Sequence, residues 1–293
     1  MTGVNEESKP SGVTLNVLKE LQQRYIVTAS KALGQNFLID PNISRKIADV
    51  IEPQHNVIEI GPGIGSLTVP LARVSSFVHA IELDEHILVP LADVLSQFDV
   101  TSKVAVIHND VMNVDLEKMC SELQIDTVIG NLPYNISAPL LANIARNTPS
   151  ASLVVAMVQK EVGERLSAPL GTREVSSITY KVQFFMDVSI AFSVPRQSFI
   201  PQPRVDSVVI ILKRRDSPAV DVAFEDIDIF FAMIDVAFGQ RRKMLRKSLS
   251  THFRERLSEI FLIAQVDPTL RPEQCTLENF AALFRAHQEM CSS

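Results

Sequence analysis

Cysteine is scarce in this chain of 293 residues, and no apolar run approaches the length that crosses a bilayer. The three cysteines, Cys120, Cys275 and Cys291, lie far apart and form no C-x-x-C pair. This spacing argues against a disulfide framework and against a zinc site, and it fits the reducing cytoplasm. A membrane-spanning helix needs about 20 consecutive apolar residues, so we expect a cytoplasmic protein with no membrane partner.

We also expect no targeting signal, no nucleophilic triad and no metal-binding cluster. The first eleven residues are polar and lack the basic-then-apolar order of a signal peptide, so we expect a short disordered tail there. No Ser-His-Asp or Cys-His arrangement stands out. His79, Glu82 and His86 come nearest to a metal site, but His79 lies within a predicted strand, so the three need not share a face. We predict no metal.

The net charge of −6 is unexpected for a protein that binds nucleic acid, but the charge is unevenly distributed. Residues 196–254 carry 11 Lys and Arg against 7 Asp and Glu, a balance of +4. The rest of the chain carries 17 against 27. The basic residues concentrate at 213–215 and 241–247. This local cluster is compatible with a surface that binds nucleic acid, despite the negative net charge.

Short β-branched runs separated by helical stretches predict an α/β fold with a parallel sheet covered on both faces. The runs cover residues 57–60, 78–81, 104–107, 127–129 and 153–158. Two more runs, 188–194 and 205–212, have only a proline-rich loop between them, which predicts an antiparallel hairpin closing the sheet. After residue 215, Phe230, Ile234 and Phe238 recur at helical spacing. We predict a tail and leading helix over 1–29, an α/β domain over 30–215 and a small all-helical domain over 216–293.

A glycine turn follows the first of these strands, in Glu59-Ile60-Gly61-Pro62-Gly63-Ile64-Gly65. Glycines let a ligand approach the backbone, but this G-x-G-x-G order is not the dinucleotide fingerprint and demands no phosphate. Glu82 ends the second strand and can hold both hydroxyls of a ribose, and Asp110 follows the third and can hold an adenine amino group. Gly61, Gly63, Glu82 and Asp110 together predict an adenosyl ligand without phosphates, which S-adenosylmethionine fits. Singly, each acid could instead be a helix cap or half of a salt bridge.

The segment Asn131-Leu132-Pro133-Tyr134 follows a buried run at residues 126–130. The Asn131 side-chain oxygen and the Leu132 carbonyl can each accept one N–H of a purine amino group, because Pro133 biases Leu132 away from helix. Tyr134 offers a face on which a base can stack. We predict methyl transfer to an adenine N6, whose lone pair these two oxygens localise. The alternative is a plain strand-to-helix turn with an Asn cap.

A second aromatic face is predicted from the proline-rich loop at residues 195–203. A target base must leave its stack to reach such a pocket unless it already lies in a loop. Phe199 is our candidate for the ring opposite Tyr134. The alternative, about equally favoured, is that Phe199 anchors the loop on the sheet.

These residues resemble the small-subunit ribosomal RNA adenine dimethyltransferases of the KsgA type. The resemblance runs from about residue 31 to about residue 253 and rests on five motifs, which lie at residues 33–38, 59–65, 131–137, 199–207 and 238–243. It implies a Rossmann-like class I methyltransferase sheet that uses S-adenosylmethionine. It also implies cofactor contacts by Asn36, Leu38, Gly61, Glu82, Asp110 and Asn131.

The implied substrate is a pair of adjacent adenosines in a hairpin loop near the 3′ end of 16S rRNA. By resemblance, each receives two methyl groups on N6 within an assembling small ribosomal subunit, which implies a role in subunit biogenesis. Relatives often carry Thr and Asn where this chain has Met244 and Lys247. The resemblance therefore does not define the RNA contacts of these two positions. We expect a monomer.

The basic segment is predicted to bind RNA phosphates. On one continuous helix, Lys243, Arg246 and Lys247 fall on one side, while Phe238, Leu245 and Leu249 form an apolar stripe. Phosphate contacts position RNA without reading its sequence. The predicted RNA-binding residues are Lys213, Arg214, Arg241, Arg242, Lys243, Arg246 and Lys247. The alternative is an ordinary solvated face.

Three other functions compete with this interpretation. A large-subunit rRNA dimethyltransferase shares the chemistry and fold, but the residues at 238–243 and the extended helical domain favour the small-subunit enzyme. A non-catalytic assembly factor would not need Glu82, Asp110 and Asn131 together. A DNA adenine methyltransferase is disfavoured because no separate target-recognition domain is evident.

Overall fold

The computed structural model describes residues 12–30 and 33–292, so the tail predicted at residues 1–11 lies outside the described residues. The chain divides into two compact units. The first comprises Met1–Lys160 with Ser189–Leu212, and the second comprises Glu161–Val188 with Lys213–Ser293. Residues 161–188, which we predicted in the α/β domain, thus group with the carboxyl-terminal helices.

The described chain contains nine strands and thirteen α-helices. The strands are β1 Phe37–Leu38, β2 Asn56–Ile60, β3 Phe77–Glu82, β4 Val104–His108, β5 Thr127–Asn131, β6 Leu153–Gln159, β7 Met186–Val194, β8 Phe199–Ile200 and β9 Ser207–Arg214. The helices are α1 Leu15–Arg24, α2 Pro41–Ala48, α3 Thr68–Val74, α4 Glu85–Gln97, α5 Leu116–Leu123, α6 Ser137–Asn147, α7 Lys160–Ser167, α8 Ser177–Phe185, α9 Ile227–Gly239, α10 Leu245–Ser248, α11 Ser250–Phe253, α12 Leu257–Ala264 and α13 Leu277–Ser292.

Seven strands form one sheet in the order β4-β3-β2-β5-β6-β9-β7. The strands from β4 to β6 in this order pair in parallel, which confirms the predicted α/β fold. Aspartate N-cap residues start two of the helices. The Asp84 side chain accepts the His86 N–H at the start of α4, and the Asp115 side chain accepts the Lys118 N–H at the start of α5. The strands β7 and β9 are neighbours, as predicted, and β9 lies between β6 and β7.

A second, two-stranded sheet was not predicted. β1 pairs antiparallel with β8, with Phe37 opposite Ile200 and Leu38 opposite Phe199. Strands of two residues carry no readable alternation, so only the folded chain reveals this pairing. It joins the segment at residues 33–38 to the proline-rich loop.

The second unit is helical, and aromatic side chains form much of its core. Tyr180 and Phe184 of α8 are fully buried with Phe230 of α9 and Phe280 of α13. The Tyr180 hydroxyl donates to the Cys275 carbonyl at 2.6 Å, and its ring meets that of Phe280 edge-on. Helix α8 therefore belongs to this core, which explains why residues 161–188 group with the carboxyl-terminal helices.

The prediction of one continuous helix through residues 238–249 is wrong. α9 ends at Gly239 and α10 begins only at Leu245, so Lys243 lies in the turn between them. The first amides of α10 donate to carbonyls of a later loop: the Leu245 N–H to Leu270 at 2.7 Å and the Arg246 N–H to Pro268 at 3.1 Å. These bonds satisfy donors that a helix start leaves open, and they fix where α10 begins.

Candidate functional site

The carboxyl ends of four parallel strands bring the predicted site residues to one edge of the sheet. Register pairs Ile60 with both Ile81 and Gly130, and it pairs Glu82 with His108. The residues that follow these positions line a single cleft. All seven predicted cofactor residues lie there: Asn36, Leu38, Gly61, Gly63, Glu82, Asp110 and Asn131.

The glycine turn after β2 requires glycine at several positions. Gly61, Gly63 and Gly65 have φ of 70°, 53° and 85°, a region that side chains with a Cβ rarely adopt. A Cβ on Gly65 would also lie 3.1 Å from Leu91 Cδ1, so this glycine lets the turn pack closely on α4. The turn thus presents bare backbone to the cleft, as an adenosyl ligand requires.

Glu82 is held by the backbone on both of its oxygens. Oε2 accepts the Gly63 N–H at 2.9 Å, and Oε1 accepts the Asp84 N–H at 2.9 Å. Only 5% of the residue is exposed, and burial raises the pKa of its carboxyl, although these two hydrogen bonds act in the opposite direction. Each oxygen keeps a lone pair for a further donor, so the carboxyl group can accept additional hydrogen bonds from a group in the cleft.

Glu59 lies in β2, two residues before Gly61, and does not line the cleft. It is 1% exposed, and burial raises the pKa of its carboxyl to about 8, with the nearby Glu82 adding to the shift and Thr68 opposing it. At neutral pH this side chain is therefore mostly a neutral acid. The first acid of the glycine motif is a buried residue and not a ligand contact.

Asn131 is fixed with its amide oxygen available. Its Nδ2 donates to the Asn36 carbonyl at 3.1 Å, which assigns the other branch of the amide, Oδ1, as the acceptor. The Leu132 N–H donates to the Met157 carbonyl at 3.1 Å. Helix α6 is capped by Ile136 without a side-chain hydrogen bond, so Asn131 is not the Asn cap of the alternative interpretation.

Tyr134 lines the cleft, whereas Phe199 does not. Tyr134 is half-buried, and its hydroxyl lies 2.8 Å from Ser207 Oγ. Phe199 is 1% exposed and belongs to the core of the first unit, because it sits in β8 opposite Leu38. In this structure Phe199 occupies the alternative place, as a ring that anchors the loop on the core, and its role as a stacking face stays a prediction.

Two apolar side chains in the cleft were not predicted as site residues. Leu83 is 47% exposed and directly follows Glu82, and Met112 is 43% exposed and follows Asp110 by two residues. Large apolar side chains that stay exposed inside a cleft suit contact with a flat ring. Both could have been predicted from the sequence, because each follows an acidic residue that ends or follows a strand at the cleft edge.

The predicted RNA-binding residues lie in the second unit and differ in exposure. Lys213, Arg242, Lys243, Arg246 and Lys247 are exposed, whereas Arg214 and Arg241 are partly buried. Arg241 donates to the Arg173 carbonyl and lies 3.8 Å from a Glu273 carboxylate oxygen. Its guanidinium therefore supports the helical unit itself.

Residues 12–30 and 33–292 contain neither a metal-binding cluster nor a helix that could cross a membrane. No group of three His, Cys, Asp or Glu side chains there is arranged to hold a metal ion. In the same part of the chain, no helix is both long and apolar enough to span a membrane.

A parallel sheet with a glycine turn and two acidic residues lining the cleft at its edge is the architecture of a Rossmann-like methyltransferase that uses S-adenosylmethionine. More particularly, the chain belongs to the ribosomal RNA adenine dimethylase family, whose sequence model matches residues 26–289. The chain is therefore an rRNA adenine dimethyltransferase, as its motifs predicted.

Relatives agree with this assignment over nearly the whole chain. A ribosomal RNA small subunit methyltransferase A of Enterococcus faecalis is 40% identical over 299 residues and covers 98% of each protein. The protein of the same name from Geobacillus kaustophilus is 40% identical over 280 residues, 92% of this chain and 94% of the relative. A solved dimethyladenosine transferase of Plasmodium falciparum is 24% identical with a TM-score of 0.69, covering 86% of this chain and 98% of that one, and it supports the fold.

Proposed function

We propose that this protein methylates N6 of two adjacent adenosines in a hairpin loop near the 3′ end of 16S rRNA, twice each, during assembly of the small ribosomal subunit. The observation that carries the proposal is 40% identity, over 98% of both chains, to a small-subunit methyltransferase. Mapping dimethyladenosine on both rRNAs, in cells with and without the protein, tests it. Dimethyladenosine found only in the large-subunit rRNA would contradict the proposal and would identify that rRNA as the substrate. We further propose a monomer, which sedimentation of the purified protein tests.

The cleft is suited to hold S-adenosylmethionine, which supplies a methyl group already activated on a sulfonium. We assign the ribose hydroxyls to Glu82 and the adenine amino group to Asp110. The glycine turn at Gly61 and Gly63 leaves room for the ligand at the backbone. Asn36 and Leu38 border the same space, and the Asn36 carbonyl also fixes Asn131.

The acceptor amine is held by two uncharged oxygens, Asn131 Oδ1 and the Leu132 carbonyl. Accepting both N–H groups draws the nitrogen towards a tetrahedral arrangement and localises its lone pair, which an adenine otherwise shares with its ring. Tyr134 stacks on the base and orients the nitrogen for in-line attack. No strong base is needed, because the methylated cation loses its proton readily to solvent.

We expect Glu82→Gln to raise the Kd for S-adenosylmethionine by about 10- to 100-fold, since it removes charged hydrogen bonds to the ribose. Isothermal titration calorimetry measures the change. Glu85→Gln is the matched control, because Glu85 is exposed three residues further along, in the first turn of α4. Equal affinities of the Glu82 variant and the wild type for S-adenosylmethionine would show that Glu82 does not bind the ribose.

We expect Arg246→Ala to weaken RNA binding across sequences and to lower the salt dependence of log K by about one unit. Arg246 is exposed at the start of α10, so its guanidinium is accessible to a phosphate. Lys19→Ala removes an exposed charge from α1 and serves as the control. Filter binding at several salt concentrations measures the slope of log K against log salt for each variant. A slope for Arg246→Ala equal to that of the wild type would mean that Arg246 is an ordinary solvated residue that does not contact a phosphate.

A further inference from the structure

The Tyr134 ring is tied at its tip to a distant part of the chain. Its hydroxyl oxygen lies 2.8 Å from the Ser207 hydroxyl oxygen, 73 residues away in sequence. Ser207 is fully buried and is the first residue of β9, which lies between β6 and β7 in the sheet. A side chain on the cleft wall is therefore bonded to a fixed point of the sheet.

The backbone beside Ser207 is itself held from two sides. The Asp206 carbonyl accepts the Lys160 N–H at 3.0 Å, and the Asp206 side chain accepts the Arg196 N–H at 3.0 Å. These two bonds restrain the backbone immediately before Ser207. The anchor for the Tyr134 hydroxyl is thus rigid. Ser207 ends the motif at residues 199–207, but no role was predicted for its side chain.

The other end of Tyr134 is also fixed. The preceding Pro133 carbonyl accepts the N–H groups of Ile136 and Ser137, at 3.2 and 3.0 Å, which winds this segment into the start of α6. A tyrosine ring turns about only two side-chain bonds. With both ends held, the ring has its direction set before any base arrives, and such preorganisation lowers the cost of stacking.

We propose that Ser207 is a positioning residue for methyl transfer, which holds the Tyr134 ring in the orientation that a flipped adenine needs for stacking. This inference rests on the proposed function, because it assumes that the base stacks on Tyr134. Ser207 does not line the cleft, so it acts through the tyrosine.

A double-mutant cycle tests the link. Ser207→Ala and Tyr134→Phe each remove the hydrogen bond but keep the ring, and each is expected to lower kcat on unmethylated small ribosomal subunits by about three- to tenfold. The double variant should be no slower than the slower single variant, because the same bond is lost once. The Kd for S-adenosylmethionine should stay within about twofold. Effects that multiply in the double variant, or an unchanged kcat in both single variants, would overturn the proposal.

A fluorescent base separates positioning from folding. 2-Aminopurine replaces the target adenine in a hairpin RNA; it reports stacking but offers no N6 amine for methylation. In the wild-type complex its fluorescence should be quenched by the tyrosine, and both single variants should give a brighter signal at saturating protein. A purely structural role would lower the melting temperature and leave the quenching intact, which would also overturn the proposal.

Failure of the proposed function would appear differently. A wild-type protein that neither binds S-adenosylmethionine nor methylates the small subunit refutes the function itself. A wild-type protein that does both, with fluorescence equally quenched in the wild type and in the two single variants, refutes only the role of Ser207.

Discussion

Replacing Asn131 with alanine is expected to lower the rate of methyl transfer by about 10²- to 10³-fold, the range found when one preorganised donor or acceptor is removed from an active site. The reason is the fixed amide. Because its nitrogen donates to the Asn36 carbonyl at 3.1 Å, its oxygen is set as an acceptor before substrate binds. Without that oxygen, the adenine nitrogen keeps its lone pair delocalised in the ring.

The rate should be measured in single turnovers at saturating cofactor, because Asn131 also borders the cofactor space. RNA affinity, measured separately, should stay near that of the wild type. Asn147→Ala makes the same change at an exposed position at the end of α6 and is the control. Turnover of the Asn131 variant within about threefold of the wild type would contradict the acceptor role.

The cleft could be predicted from sequence because parallel strands end at a common edge. Locating β2, β3, β4 and β5 by their β-branched runs was enough to bring Gly61, Glu82, Asp110 and Asn131 together. No long-range distance had to be known, since the register follows from the parallel sheet. The orientation of the Asn131 amide could not be predicted, because it depends on the carbonyl of Asn36, 95 residues away.

The features that sequence missed depend on contacts between distant segments. The sequence pattern places Phe199 in a loop. Only the pairing of β8 with β1, which sets Phe199 opposite Leu38, shows that it is a core residue. The break between α9 and α10 is set by carbonyls at Pro268 and Leu270. Likewise, the spacing of apolar residues in α8 does not reveal that its aromatic rings pack with those of α9 and α13.

Replacing Glu59 with glutamine is expected to remove a large pH dependence from the stability of the sheet. Burial raises the pKa of this carboxyl to about 8 in the folded protein, from 4.5. Between these values the folded state holds a proton that the unfolded state has released, so stability falls as pH rises. The slope is at most about 1.4 kcal/mol per pH unit. A glutamine does not titrate and lacks this contribution.

Hydrogen exchange of the β2 amides at pH values from 5 to 8, corrected for intrinsic exchange rates, measures the local free energy of opening. The wild type should lose protection relative to Glu59→Gln as pH rises, by about 1 kcal/mol or more per unit in the middle of the range. Glu85→Gln, at an exposed acid of α4, should follow the wild type throughout. The difference in slope carries the test, since the buried amide of the glutamine can shift the absolute stability in either direction. Parallel curves for the wild type and Glu59→Gln would mean that Glu59 is charged in the folded protein.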